Sequence, residues 1–258
     1  MMKRRGALCA LFALLAVFAT ALTLTAQTPQ PAPKDTSAEA KALLAKSLEL
    51  FGGKEKLAAV TNLRMTVAMK VFNTPQGEMD MDGEITVVLP NKQVVKMNSP
   101  MGEIRIVNTP DLCFMAFGPN VRDMPPEASA STSEAFSHGE YAVLLHLDDP
   151  AYHFALGEKD TIDGVTVQII SITLNGKSFS YYVDPATGHV LRVDDVAMTE
   201  TGPAKQITYF SEWKKVGGFD TAMHIVVKQD GETVRSMDMK NIEYNVTVDP
   251  ALFQKPAA

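Results

Sequence analysis

The sequence has little cysteine and little tryptophan: two Cys and one Trp in 258 residues. Cys9 lies in an apolar N-terminal run, so removal of that run would leave Cys113 as the last thiol. An intramolecular disulfide is then impossible, and the fold must depend on its apolar core. Cys113 stands between Leu112 and Phe114, which is typical of an inert, buried thiol in a strand.

The common catalytic motifs are missing as well. The sequence contains no His-Glu-x-x-His, no Gly-x-Ser-x-Gly and no phosphate-binding loop. The Gly-Lys-Ser of residues 176–178 lacks the upstream glycine and lies in a predicted hairpin. These absences argue against the zinc protease, serine hydrolase and NTPase classes, and we expect a protein that is not an enzyme.

We predict no metal and no cofactor. The acidic and histidine residues of the central insertion follow no standard ligand spacing. Two Met-x-Met pairs suit Cu(I) in principle, but strand alternation produces the same pattern and is the preferred interpretation. The residues concerned are His138, Glu140, His146, Asp148, Asp149 and His153, and the methionine pairs Met79/Met81 and Met237/Met239.

A positive net charge is also absent. The formal charge is −6, and loss of the three cations Lys3, Arg4 and Arg5 would make it −9. Nucleic acid is therefore excluded as a partner, because phosphate contacts need a basic face. Strong attachment to an anionic membrane surface is disfavoured for the same reason.

The N-terminus has the composition of an export signal. Those three cations precede an apolar run over residues 7–22, and small residues follow, which predicts a signal peptide over residues 1–26. No cysteine stands near residue 27 to receive a lipid. Residues 27–36 are a Pro-rich tether, and we expect the mature protein to be soluble, monomeric and periplasmic.

Periodicity changes from helical to alternating at residue 62. A helix is predicted from a Thr36/Glu39 capping box to Gly52-Gly53, and about ten or eleven short strands follow, joined by Pro-Asn, Asn-Gly and Asp-Gly turns. A Ser/Ala-rich helical insertion interrupts them after residue 125. We predict one α+β domain over residues 37–256: a large curved antiparallel sheet, an incomplete β-barrel, covered by the N-terminal helix and the insertion.

Methionine is frequent on the apolar side of these strands. An unbranched thioether adapts to irregular shapes, so it suits the lining of a cavity that holds a flexible acyl chain. Packing under the first helix is the alternative, but the predicted helices are too few to cover the predicted sheet. The predicted lipid-binding residues are Leu63, Met65, Val67, Met69, Met81, Ile85, Val87, Leu89, Met97, Ile104, Ile106, Met115 and Phe117.

The stretches "GEITVVLPNKQVVKM" and "PMGEIRIVNTPDLCFMAFG", with "FSYYVDPATGHVLRVDDVAM" and "YFSEWKKVGGFDTAMHIVV" later on, resemble the LolA/LolB-type carriers, especially the outer membrane lipoprotein-sorting protein group. The resemblance covers roughly residues 38–255. It implies a half-barrel that binds lipoprotein acyl chains, with inner- and outer-membrane lipoprotein-transport components as partners. The family's lid-locking arginine is replaced here by Leu89, which puts regulated loading in doubt.

The sequence thus favours a non-catalytic periplasmic carrier of lipid or lipoprotein acyl chains, acting in lipoprotein sorting to the outer membrane. The alternative is a periplasmic scaffold or sensor that binds another protein through its sheet face. An open cavity favours the carrier, and a filled one favours the scaffold.

Export should remove residues 1 to about 26. N-terminal sequencing of the protein purified from its own periplasm is expected to begin near residue 27. A mature chain that retains residues 1–20, or that begins at an acylated cysteine, would contradict this prediction.

Overall fold

The structure is a computed structural model, and it describes residues 35–74, 77–199 and 202–255. The predicted signal peptide and most of the Pro-rich tether lie outside the described residues. The chain from Asp35 onward forms one compact unit. Its α-helices are α1 (Ser37–Leu50), α2 (Lys54–Ala58), α3 (Pro126–His138) and α4 (Glu140–Leu145), and a 3-10 helix covers Pro250–Phe253.

The strands of the described residues belong to one antiparallel sheet of thirteen, in the order β6-β5-β4-β3-β2-β1-β13-β12-β11-β10-β9-β8-β7. The first and last strands of the chain pair at its centre, whereas β6 and β7 are its two edges, so the sheet is open. The strands are β1 (Asn62–Thr74), β2 (Gly77–Val88), β3 (Lys92–Ser99), β4 (Gly102–Asn108), β5 (Cys113–Phe117), β6 (Asn120–Asp123), β7 (Tyr152–Ile162), β8 (Val165–Leu174), β9 (Lys177–Val183), β10 (Val190–Thr199), β11 (Gly202–Val216), β12 (Phe219–Gln229) and β13 (Glu232–Tyr244).

The predicted class, a large open antiparallel sheet with a few helices, is confirmed, but the predicted count of ten or eleven strands is too low. The strand with the weakest signal in the sequence is β7. Its apolar side chains alternate only over Tyr152, Phe154 and Leu156, and its second half is charged and exposed. An edge strand has one neighbour and little surface to bury, so the alternating signal fades there.

The start of α1 also differs from the prediction. Instead of capping the helix with its side chain, Thr36 accepts a hydrogen bond at Oγ1 from the backbone N–H of Leu156 in β7, at 2.8 Å. The predicted capping residue therefore joins the first helix to the sheet. A short second helix, α2, follows Gly52-Gly53, where the sequence predicted only the end of the first helix.

The helices lie on one face of the sheet, called here the inner face. Two apolar clusters meet there. One packs α1, α2 and α4 against β7–β10, with Leu44, Leu144, Ile170 and Tyr181 fully buried at its centre. The other joins β1, β2, β3 and β13 under Phe136 of α3.

A third, smaller cluster lies on the outer face. Val94, Val107 and Phe114 are covered there by Leu252 and Phe253 of the 3-10 helix. Arg105 of β4 donates to the carbonyl oxygens of the C-terminal segment, at residues 251, 252 and 254. Its role is to hold the end of the chain against the sheet.

Gly83 lets two central strands approach closely. A Cβ atom at this position would lie 2.0 Å from the carbonyl oxygen of Lys96 and 2.8 Å from the Cα of Met97, both on β3. Backbone atoms of a paired strand cannot move aside as a side-chain end can. Gly83 also stands in register between Val67 and Met97, so this approach shapes the inner face.

We therefore expect Gly83→Ala to destabilise the protein by about 2 kcal/mol or more, because it overpacks the β2–β3 pair. Urea unfolding is the measurement, with the exposed Thr66→Ala on β1 as the control. Equal midpoints for the parent and Gly83→Ala would show that the two strands can separate without cost.

Candidate functional site

Strand register places the predicted lipid-binding residues on the inner face. Directly paired residues share a face of an antiparallel sheet, and one row crosses five strands as Met65, Ile85, Val95, Ile106 and Met115. The next row contains Val67, Met97, Ile104 and Phe117. Leu63 pairs with Val87 and Met69 with Met81, and Leu89 packs between the two inner clusters.

These residues do not all meet at one place. Two line the main cavity, Leu63 and Met65. Four lie toward the β6 edge, and two of these, Met115 and Phe117, are each 38% exposed. Nine belong to the inner cluster under Phe136: Leu63, Met65, Val67, Met69, Met81, Ile85, Val87, Leu89 and Met97.

The main cavity has a volume of about 330 Å³ and lies between the α3–α4 junction and the inner face. Its walls come from both halves of the sheet, from β1 and β9 to β13. Most of the lining is apolar, and it includes Leu63, Met65, Phe210, Ile225, Met239 and Ile242. The volume is within the range of small-molecule sites, about 300 to 1,000 Å³.

Hydrogen bonds fix the helical junction over this cavity. His138 at the end of α3 contacts Asp195 of β10, with 2.7 Å between Nδ1 and Oδ2, and its ring stacks on Phe179 at 4.1 Å. Tyr181 donates its hydroxyl proton to the carbonyl oxygen of His138, and Tyr152 donates to that of Ser137. The C-terminal end of α3 is therefore firmly attached to the sheet.

The first residue of α4, Glu140, places a carboxyl group in the cavity wall. Its Oε1 is buried and has no hydrogen-bond partner among the described residues. Burial raises the pKa of this carboxyl from an ordinary value of 4.5 to about 8. Glu140 is therefore an uncharged acid at neutral pH, able to donate as well as accept a hydrogen bond.

The sheet side of the cavity carries a second unpaired polar atom. Trp213 of β11 lines the cavity, and its Nε1 is buried without an acceptor among the described residues. The indole stacks on His189 with 4.2 Å between ring centroids, which fixes its orientation. The two unpaired groups thus belong to opposite layers, one to the helices and one to the sheet.

The metal candidates of the sequence have other roles in the structure. His138 binds Asp195, and His146 contacts the carbonyl oxygen of Ala142 and stacks on Tyr152. Asp238, between two methionines, accepts from His224. Over the described ranges, no group of three His, Cys, Asp or Glu side chains is placed to hold a metal ion, and no helix is long and apolar enough to cross a membrane.

Sequence reasoning missed the half of the lining that comes from β9 to β13. Strict alternation would place Met239 and Ile242 on opposite faces, and the register shift opposite Thr66 and Val67 brings them to the same one. Alternation also does not show that β13 pairs with β1. Glu140 had one signal, since it opens an otherwise apolar segment, "YAVLLHL", just after a glycine. Trp213 stood out only as the sole tryptophan.

By sequence, no protein-family model and no curated protein matches the chain. Solved structures do. An outer membrane lipoprotein-sorting protein domain from Vibrio parahaemolyticus and a LolA-superfamily protein from Nitrosomonas europaea each match with a TM-score of 0.54 and 11% identity, covering 84% of this chain and 97% of theirs. A DUF1329-family protein from Desulfovibrio piger also gives 0.54, with 14% identity, over 83% of this chain and 97% of its own.

The chain has a LolA-like fold. At these identities the likeness establishes the architecture, and the chemistry of the site must be argued from the residues present. Within this LolA-like fold, Leu89 is half-buried against both inner clusters. The end of α3 is held by the contacts of Ser137 and His138 described above.

The buried carboxyl of Glu140 makes stability depend on pH. The folded state keeps this proton up to about pH 8, whereas the unfolded chain loses it near pH 4.5. Between these values the folded state binds more protons, so the contribution of Glu140 to the free energy of unfolding falls as pH rises. Replacement by Gln removes this dependence.

We expect the stability of Glu140→Gln relative to the parent to increase by on the order of 3 kcal/mol from pH 5 to pH 7. Urea unfolding at the two pH values measures it. All other residues are the same in both proteins, so their contributions cancel in the difference. A difference that does not change with pH would show that the carboxyl ionises normally in the folded protein.

Proposed function

We propose that this protein is a non-catalytic carrier that binds the acyl chain of a lipid or lipoprotein in the cavity under the α3–α4 junction. The observation that supports it is the cavity itself, apolar for most of its lining and formed where the helices leave part of the inner face uncovered. The LolA-like fold of two lipoprotein-sorting and LolA-superfamily structures agrees with this use.

Burial of apolar surface supplies the affinity. Each CH₂ group removed from water contributes about 0.8 kcal/mol, and a chain of ten carbons gains on the order of 8 kcal/mol before the costs of ordering it. A chain in this cavity contacts flexible methionines, Met65 and Met239, which adapt to different chain shapes. No catalytic group is needed for this function.

The contacts at the two ends of α3 indicate where an acyl chain would enter. Its C-terminal end is fixed by three contacts to the sheet, whereas near its N-terminal end Ser129 donates to the carbonyl oxygen of Thr109 at 2.7 Å. A second, more polar cleft of about 450 Å³ runs beside α3 and shares Ala135, Asp195 and Gln206 with the main cavity. A chain that enters beside α3 reaches the apolar cavity through this cleft.

In the cell, the proposed carrier is periplasmic and monomeric, acts in lipoprotein sorting to the outer membrane, and exchanges cargo with membrane-bound transport components. The second candidate is a scaffold or sensor that binds a protein through the sheet. Its support is a group of exposed apolar side chains toward the β6 edge. These are Met101, Met115, Phe117 and Val121.

The sole tryptophan gives a direct test of acyl binding. Trp213 lines the cavity, so a chain that enters should shift its emission to shorter wavelength as water is displaced. We expect Met65→Gln to weaken binding about tenfold, because the new amide must be buried unpaired beside the chain. Met69→Gln is the matched control, on the same strand and face but outside the lining.

Two results would count against the carrier. An emission spectrum unchanged by acyl-chain amphiphiles would mean that the cavity does not admit them. Equal weakening by the two methionine variants would mean that the chain lies along β1 generally, or on the surface, rather than in this cavity.

A further inference from the structure

Within the described part of the chain, the polar cleft beside α3 is lined by a single cation, and that cation has no counterion. The charged residues of the lining are Glu134 of α3, Asp195 of β10 and Arg235 of β13. Lys177 donates to Glu134, and His138 contacts Asp195 with 2.7 Å between Nδ1 and Oδ2. The guanidinium of Arg235 forms no ion pair and no hydrogen bond with the described residues.

Strand register places Arg235 on the inner face of the sheet. It stands opposite Val71 of β1 and Val227 of β12, and Met237, two positions further along β13, pairs with Met69. These four neighbours on the same face are apolar. Arg235 therefore occupies a position where the alternation of β13 favours an apolar side chain, and a cation that needed only water would lie on the outer face.

The surroundings of Arg235 favour an anion. The side chain is exposed to the cleft, but neighbouring protein atoms remove part of its water. This desolvation lowers the pKa of the guanidinium from its ordinary value of 12.5. Arginine still keeps its charge at neutral pH. A bound anion would therefore form charge-assisted hydrogen bonds with a cation that has already lost part of its hydration.

The cleft is continuous with the main cavity through Gln206, which lines both. Gln206 Oε1 accepts from Gln229 Nε2 at 3.2 Å, and its own amide N–H₂ group is left to donate to a ligand. Arg235 and Thr208, a lining residue of the main cavity, lie in one row across β13, β12 and β11, so about 10 Å separates their Cα atoms. One amphiphile can therefore place its chain in the main cavity and its head group in the cleft.

The residues of the cleft discriminate among head groups. The planar guanidinium of Arg235 matches a carboxylate or a phosphate through two parallel hydrogen bonds, whereas it repels an ammonium group. Glu134 and Asp195 oppose an anion, but both already have partners. The two oxygens of Asp195 contact His138 Nδ1 and the backbone N–H of Val196.

We propose that the cleft beside α3 is an anion subsite, in which Arg235 binds the carboxylate or phosphate head group of a lipid whose acyl chain lies in the main cavity. This inference rests on the proposed function, because it assigns a head-group class to the lipid that the protein carries. The two spaces then have different tasks. The main cavity binds an acyl chain of any kind, and the cleft selects among head groups.

The test compares four probes of equal chain length: decanol, decanoate, decyl phosphate and decylammonium. Displacement of a fluorescent acyl probe with an uncharged head group, measured with the mature protein at pH 7, gives their affinities. We expect at least one of the two anions to bind about tenfold more tightly than decanol, and decylammonium to bind no more tightly than decanol. The tighter of the two anions identifies the head group as a carboxylate or a phosphate.

Arg235→Gln removes the charge from the cleft. In this variant the preference for the anion over decanol should fall to about threefold or less, while the affinity for decanol stays the same. Lys228→Gln is the matched control. It removes one positive charge from the neighbouring strand, but Lys228 lies on the outer face, with its Nζ 5.8 Å from the ring centroid of Tyr209. The preference should persist in this control.

Arg235→Lys guards against a substitution that disturbs the fold. It keeps a positive charge in the cleft, so it should retain more of the preference than Arg235→Gln does. Binding of decanol shows in each variant that the main cavity is intact. A purely structural role for Arg235 would lower the affinities for decanol and for the anions by the same factor.

The outcomes separate the two proposals. Equal affinity for decanol and both anions, tighter binding of decylammonium, or a preference that is unchanged in Arg235→Gln overturns the anion subsite and leaves the acyl carrier intact. A preference that disappears in an equal concentration of inorganic phosphate would assign the cleft to the free anion and overturn the lipid head group. Failure of decanol and of all the charged probes to displace the fluorescent chain overturns both proposals.

Discussion

The structure depends on one imbalance. Among the described residues, a sheet of thirteen strands has a largely apolar inner face, and four helices cover it. Three helices pack over β7–β10, where Leu144, Ile170 and Tyr181 are fully buried. Over the centre, α3 reaches across with Phe136 and leaves space beneath its end. The cavity is the space between the helices and the inner face that side chains do not fill.

A protein that needed only stability would fill this space with side chains and remove the buried carboxyl. Burial of Glu140 lowers stability at neutral pH, and the N–H of Trp213, which lines the same cavity, is buried without an acceptor among the described residues. Local rules of packing and polar satisfaction are commonly broken at functional sites. Here both departures belong to residues that line one cavity, one on the helices and one on the sheet.

The sequence indicated the inner face more reliably than the site within it. Alternation in β1 to β5 depends on local chemistry alone, and it marked Met65, Ile85 and Ile106 correctly as sharing a face. The cavity depends on contacts that no local pattern encodes, above all the pairing of β1 with β13 and the reach of α3 to β10. Glu140 shows the limit most clearly, since its pKa results from burial by residues far away in the chain.

The central pairing of the first and last strands also bears on how the chain must be made. Thr61 and Asn245, at the start of β1 and just after β13, are hydrogen-bonded across 184 positions. Contacts of such separation form slowly, because a long loop must close before they contribute. The chain can assemble hairpins as it emerges, but it cannot join its two halves until the C-terminus is present. The sheet therefore stays in two parts until β13 is made, and its centre closes last.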